Sequence, residues 1–470
     1  MKKSGEQMET IYLYHTNDLH SHLSQWPKIV HYLEHQKQYH SSNREQALFF
    51  DLGDHADRVH PVTEATSGRG NVELLNDSPI QYATIGNNEG ITFSKEGLDR
   101  LYQQAKFKVI LSNLYDQDGK RPSWAEPTQV HTLNNGVRLG FIGLTAAFYP
   151  FYEKLGWSIE HPLANLEREL PKLQKQADTI IVLSHLGFFM DEQIAEDFDV
   201  DVILGAHTHH RLDPAPTMNG TLITQTGKLG TDVGKVELSF SNKQLVRTSG
   251  SLIPITATAA DSHKALQTYT RLQAETLEIL AEEIGTSDER LEISWTHPSA
   301  FSSFVVEHLR EWCGVDMAMM HSGLLLASLR EGSMTRRDLH HICPHPINPA
   351  VVTLSGQQLI EAVHRSFTER MVHLPLKGYG FRGIQLGVMV FAGMEVGYEF
   401  DDVNGYNVTH ITKQGERIVP ELEYNVAVPD MLTFGTLYPE VAASTNKQYF
   451  MPELLRDVIA WAFTSKTNEQ

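Results

Sequence analysis

Cysteine is almost missing from this chain: 470 residues contain two, Cys313 and Cys343. That excludes a disulfide framework and fits a reducing compartment. Long apolar runs are missing too. Nothing approaches the ~18 consecutive apolar residues that cross a bilayer, so no membrane span is expected. Positive charge is in deficit, with 39 Lys and Arg against 58 Asp and Glu and a net charge of −19. Such a field repels a polyanion and argues against nucleic-acid binding. A small anionic ligand stays compatible, because bound metal ions invert the local charge. The opening MKKSGEQ has two lysines but a polar continuation where a secretory leader needs an apolar core. The expectation is therefore a cytoplasmic protein. No Gly-x-x-x-x-Gly-Lys loop is present, which leaves an ATP-driven motor without support.

What is present is a globular composition, 41% hydrophobic, over a length that predicts two or three domains. In the first half, short β-rich runs (Ile11–His15, Ala47–Asp51, Gln81–Ile85, Lys108–Ser112, Val137–Leu144, Thr179–Ser184, Val200–Gly205) alternate with helical patterns such as Lys28–Tyr39 and Leu163–Gln176. Thr221–Thr226 and Asp232–Phe240 read as further strands. This alternation predicts a layered α/β fold. From Ala257 to Gly285 the chain is helix-prone without a break and is expected to be a helical linker, followed by a second α/β segment. The expected boundaries are 9–256, 257–285 and 286–466.

Ligand-type side chains stand directly after five of these strand runs. They are Asn17-Asp18-Leu19-His20, Gly53-Asp54, Gly86-Asn87, His185, and His207-Thr208-His209. In open α/β sheets, ligands bind at the carboxyl ends of strands. Imidazole and carboxylate donors without thiolate suit Mn, Fe, Zn or Co. Two such ions ~3.5–4 Å apart can share a water, lower its pKa and clamp a phosphoryl group. Any one of these residues alone would be an ordinary turn or core residue; the ordered set points to a metal centre. His31-Tyr32-Leu33-Glu34-His35 matches a zinc-protease helix pattern but lacks a third ligand, and it is read as a packing helix.

The order Asn-Asp-x-His, Gly-Asp, Gly-Asn-x-Glu, His, Gly-x-His-Thr-His resembles the calcineurin-like metallophosphoesterases. The flanking HTNDLHSH, NNEG, SNLY, SHLG and GAHTH are similar to the bacterial 5′-nucleotidase family, which includes UDP-sugar hydrolases and 2′,3′-cyclic nucleotide phosphodiesterases. The resemblance implies an α/β/β/α sandwich, with a C-terminal α/β domain that reads the substrate. It implies that Asp18, His20 and His209 hold one divalent ion, Asn87, His185 and His207 a second, and that Asp54 bridges them. It also implies hydrolysis of a nucleotide-type phosphate ester in nucleotide catabolism. Sister activities on cyclic nucleotides or nucleotide sugars stay open, as does a metal-binding regulatory module with little turnover. Oligomeric state has no sequence signal.

Two departures stand out. The family's Gly-Asn-His-Glu is Gly86-Asn87-Asn88-Glu89, so the catalytic position is Asn88, which cannot give a proton. A general-acid histidine contributes ~10²–10⁴-fold, and His22 and His55 are the neighbouring substitutes. In the second domain the family's Asn-Gly-Gly-x-x-Arg is His321-Ser322-Gly323-Leu324-Leu325-Leu326. His345 and Phe434 remain as candidates to stack on a substrate, and Arg330, Arg336, Arg337 and Arg382 as candidates to meet a phosphate.

Overall fold

The computed structural model describes residues 8–401 and 405–467. The MKKSGEQ opening, on which the expectation of no leader rests, lies outside the described residues. The chain divides into two compact units, one up to Thr276 and one from Leu277.

The first unit is built on two sheets. One runs in the order Gln244–Pro254, Asp232–Ser241, Glu9–Thr16, Gln46–Asp51, Tyr82–Ala83, Lys108–Ile110, Ala125–Glu126. The other runs Thr217–Met218, Thr221–Thr224, Val202–Leu204, Thr179–His185, Arg138–Thr145, Thr128–Thr132. Alternation along each strand explains the layers. Ile11, Leu13, Phe50, Phe141, Ile181, Leu183, Val236 and Leu238 form a buried cluster drawn from both sheets. Ile142, Ile180, Val182 and Ile203 pack in a second cluster with Leu166, Leu170 and Leu173 of the helix Pro162–Gln174 and Ile194 of Phe188–Asp197. The helix Trp26–Ser42 buries Trp26, Ile29, Val30 and Leu33 and packs against the strand Gln46–Asp51. This is the expected α/β/β/α sandwich. The strands Glu9–Thr16, Gln46–Asp51 and Tyr82–Ala83 run parallel in one sheet, and Thr179–His185 and Val202–Leu204 run parallel in the other.

The second unit has a five-stranded mixed sheet in the order Met389–Ala392, Met317–His321, Glu423–Pro429, Pro349–Ser355, Lys447–Tyr449. The helices Ala300–Cys313, Gly356–Ser366 and Leu455–Thr467 belong to the same unit.

The continuous helix expected over 257–285 is not observed as such. Its helical part is His263–Ile279. Before it, the Ser262 N–H donates to the Pro27 carbonyl at 2.8 Å, which holds the approach as a loop. After it, Glu283–Ser287 pairs antiparallel with Gly332–Thr335, so strand pairing overrides helical propensity there. Thr268 and Lys264 bond Asp77 at 2.6 and 2.9 Å, which ties this helix to the first unit. Among the described residues no helix is long and apolar enough to cross a membrane.

Candidate metal centre

Asp18 and His20 follow the strand Glu9–Thr16, and Asp54 follows Gln46–Asp51. Asn87 and Asn88 open the helix Asn87–Thr92, His185 ends Thr179–His185, and His207 and His209 follow Val202–Leu204. The loops carrying them are pinned to each other by backbone bonds: Asp18 N–H to the Gly53 carbonyl (3.0 Å), His20 N–H to the Asp54 carbonyl (2.8 Å) and Leu229 N–H to the Asp18 carbonyl (2.8 Å). This bracing sustains an uncommon backbone. Asp18, His20, Asp54, His207 and His209 have φ of 51°, 45°, 50°, 77° and 59°. Non-glycine residues visit that left-handed region at a cost, and such residues cluster at functional sites.

The donor atoms converge. Nε2 of His209 lies 3.3 Å from Oδ1 of Asp18 and 3.0 Å from Nε2 of His20. Asp54 divides its oxygens: Oδ1 is 3.5 Å from Nε2 of His185, while Oδ2 is 3.7 Å from Nε2 of His20. Two groups of donors result, Asp18–His20–His209 and Asp18–Asp54–His185. The first is the trio expected for one ion; the second places Asp18 alongside Asp54 between the two histidine sets. His207 stands beside His185, with ring centroids 5.3 Å apart, and its N–H donates to Oδ2 of Asp18 at 3.0 Å. Burial pushes its imidazole down to about 4, so it is neutral and has a lone pair to offer.

The fit to cations can be judged from what the protein leaves unpaired. Oδ1 of Asp18, Oδ1 of Asn87 and Nε2 of His185 are buried without a hydrogen-bond partner. A buried polar atom without a partner costs about 1–3 kcal/mol; here Oδ1 of Asp18 and Nε2 of His185 lie 3.9 Å apart, and all three atoms are of kinds that a hard or borderline cation accepts. Electrostatics agrees. Burial opposes charge on His185, yet Asp54 and Asp18 beside it hold its imidazole up at about 10. Burial raises Asp18 as well, but the imidazoles of His209, His185 and His20 beside it outweigh this and hold it below the usual carboxylate range. The two carboxylates favour positive charge beside them, which is what a bound cation would supply.

Support comes from a ring of buried polar side chains, most of which the motifs do not flag. His185 Nδ1 donates to the Leu52 carbonyl at 2.7 Å, which turns Nε2 toward Asp54. Glu89 accepts from the N–H groups of Asp54, Gly86 and Ala56 at 2.9, 2.9 and 2.7 Å. Asn17 donates to Oδ2 of Asp18 at 2.8 Å and accepts from Thr226. Asp191 accepts from Gln225 at 3.0 Å and from Ser184, the residue before His185. Asp57 faces Nδ1 of His20 at 3.1 Å.

Asn88 is 6% exposed, and its amide nitrogen lies 2.9 Å from Nδ1 of His20 and 3.2 Å from Oδ2 of Asp54. It touches two of the residues expected to hold ions. Of the suggested acid substitutes, His55 is buried edge-on to Trp26 and faces Asn71, and burial drops it to about 3, which leaves no proton to give at neutral pH. His22 is exposed. His31 and His35 are exposed on the helix Trp26–Ser42.

In the second unit, His345 is wholly buried, stacked at 5.3 Å on Phe381, and accepts the Arg382 N–H at 2.9 Å. It has no open face for a substrate ring. Phe434 is half-buried and stacks at 5.9 Å on Tyr379, which is 41% exposed, so this pair is the accessible one. Arg336 is paired with Glu282 at 2.6 Å.

The profile of the calcineurin-like phosphoesterase family matches residues 11–211, and that of the 5′-nucleotidase C-terminal domain matches 283–438. The uncharacterized metallophosphoesterase YunD of Bacillus subtilis is 43% identical, over 96% of this chain and 99% of its own length. The trifunctional nucleotide phosphoesterase YfkN of the same organism is 20% identical over 90% of this chain but 31% of its own. In fold, the NAD nucleotidase of Haemophilus influenzae superposes with a TM-score of 0.66 at 16% identity, covering 98% of this chain and 97% of that one. A 5′-nucleotidase precursor of Thermus thermophilus gives 0.60 at 19% identity, covering 97% and 96%. The chain therefore belongs to the calcineurin-like metallophosphoesterases that carry a 5′-nucleotidase C-terminal domain, and it is a hydrolase of phosphate esters.

Proposed function

We propose that the protein is a cytoplasmic, two-ion 5′-nucleotidase-like hydrolase acting on nucleotides or related small phosphometabolites, with a part in nucleotide catabolism. The observation that carries the two-ion reading is Asp54, one oxygen toward His185 and the other toward His20. In this reading Asp18, His20 and His209 hold one ion, Asn87, His185 and His207 the other, and Asp54 serves both. A pair of divalent ions there supplies an acidified water and neutralises phosphoryl charge.

The chain's own residues do the rest. His185, locked by the Leu52 carbonyl, and Asp18, locked by Asn17 and the His207 N–H, keep their donor atoms fixed while charge moves. Asn88 holds Asp54 through its amide and has no proton to lend a leaving group. Phe434 with Tyr379 offers a flat apolar face suited to a base.

The absence of a proton donor at Asn88 favours one second reading. The pyrophosphate of a nucleotide sugar expels a phosphate, which needs no such donor, and the ring strain of a 2′,3′-cyclic diester lowers the barrier that a donor would otherwise lower. The test is a screen of the Mn-loaded enzyme on a 5′-nucleotide, a 2′,3′-cyclic nucleotide and a nucleotide sugar. The first reading expects the highest kcat/KM on the 5′-nucleotide. Turnover of the cyclic or sugar nucleotide at least tenfold faster would replace it with the second.

A further inference from the structure

Most metal-binding histidines use their second ring nitrogen to hold a partner that fixes the ring. The two central histidines here do so differently. His185 gives Nδ1–H to a neutral group, the Leu52 carbonyl. Nδ1 of His20 lies 3.1 Å from a carboxylate, Oδ2 of Asp57. Asp57 is 1% exposed and is itself fixed. Its N–H donates to Ser21 Oγ at 2.7 Å, and its Oδ1 accepts the Val59 N–H at 3.0 Å. Ser21 Oγ in turn bonds Thr63 Oγ1 at 2.7 Å and receives the Asn71 amide at 3.0 Å. The backbone and Oδ1 of Asp57 are thus both held, and Oδ2 is the oxygen left facing His20.

The geometry points to Asp57 as a positioning residue: it accepts the Nδ1 proton of His20, turns the Nε2 lone pair toward Asp18, Asp54 and His209, and raises affinity for the ion at that half of the centre alone. This rests on the two-ion reading above. Asn88 sharpens the point. Its amide nitrogen also lies 2.9 Å from Nδ1 of His20, and Oδ2 of Asp54 at 3.2 Å keeps the NH2 end turned that way. Nδ1 cannot donate to Asp57 and accept from Asn88 at once. A cation on Nε2 leaves the proton on Nδ1 and so selects Asp57. Asn88 then keeps its bond to Asp54, and its second N–H is released from His20.

The experiment is calorimetric titration of the EDTA-stripped full chain with Mn²⁺, comparing wild type, Asp57→Asn and Asp57→Ala. Asp57→Asn keeps an oxygen for the Val59 N–H and serves if Asp57→Ala does not fold. The expected result is that one of two binding steps weakens roughly 10–100-fold in Asp57→Ala and by less in Asp57→Asn, while the other step stays within about twofold. Equal weakening of both steps, or both steps within twofold of wild type in Asp57→Asn, overturns the assignment. Wild-type stoichiometry tests the two-ion reading separately. If wild type takes up one ion, that reading fails, and the ratio between wild type and Asp57→Asn for that ion still decides on Asp57.

Discussion

Asn88 shows how one residue changes what a site can do without changing what it holds. Its backbone N–H donates to Oδ1 of Asp54 at 2.8 Å and its amide approaches Oδ2 of the same carboxylate at 3.2 Å. An amide can orient and can share a hydrogen, but it cannot lose a proton near neutrality. Asn88→Ala is therefore expected to lower kcat/KM roughly tenfold, the worth of about 1.4 kcal/mol of lost hydrogen bonding. The factor should be the same for p-nitrophenyl phosphate and for an alkyl phosphate. A loss that grew with the pKa of the leaving group, read from kcat/KM across a series of esters, would show proton donation at this position. The ligand-type residues were legible because they stand in short motifs at strand ends. Asp57 and Asp191 were not, since an aspartate a few residues from a motif looks like any loop aspartate until folding buries it. His345 misled in the opposite way: an aromatic near a landmark looks available, and burial against Phe381 is a tertiary event.

At the scale of elements, strand ends deliver the site and two glycines let them meet. Gly53 has φ of +86°, and a Cβ there would lie 2.1 Å from the Gly86 nitrogen. Gly86 has an ordinary φ of −95°, so its need for glycine is purely one of space. A Cβ on it would fall 2.0 Å from Oδ1 of Asp54 and 2.6 Å from Cε1 of His185. Gly86→Ala should cost about 1–3 kcal/mol of stability by overpacking and should weaken Mn²⁺ binding by more than tenfold. The thermal midpoint of the stripped protein and a Mn²⁺ titration measure the two effects. Unchanged metal binding would show that Asp54 and His185 are not held as described. The parallel strands of the sandwich were readable as short apolar, β-rich runs set between helical patterns, whereas Gln244–Pro254 buries little of its length and declares itself only by pairing with Asp232–Ser241. The helix expected over 257–285 failed where Glu283–Ser287 found a partner strand.

For the whole molecule, a net charge of −19 sets a condition on any phosphate substrate. The global field repels it, and ions held among Asp18, Asp54 and their histidines would supply the local positive charge that offsets this. The second unit carries the fold of the nucleotidase C-terminal domain but little of the family's substrate-reading sequence, so fold and family were legible from the sequence while the substrate was not. Everything in the account depends on the centre between Asp18 and His209 being a two-ion hydrolytic site. The most direct test is elemental analysis and turnover of the EDTA-stripped chain refilled with Mn²⁺, beside Asp54→Ala treated identically. The account predicts two ions per wild-type chain, activity that rises with refilling, and at least ~10²-fold lower turnover with fewer bound ions in Asp54→Ala. Full turnover by the stripped chain, or by Asp54→Ala, would contradict it.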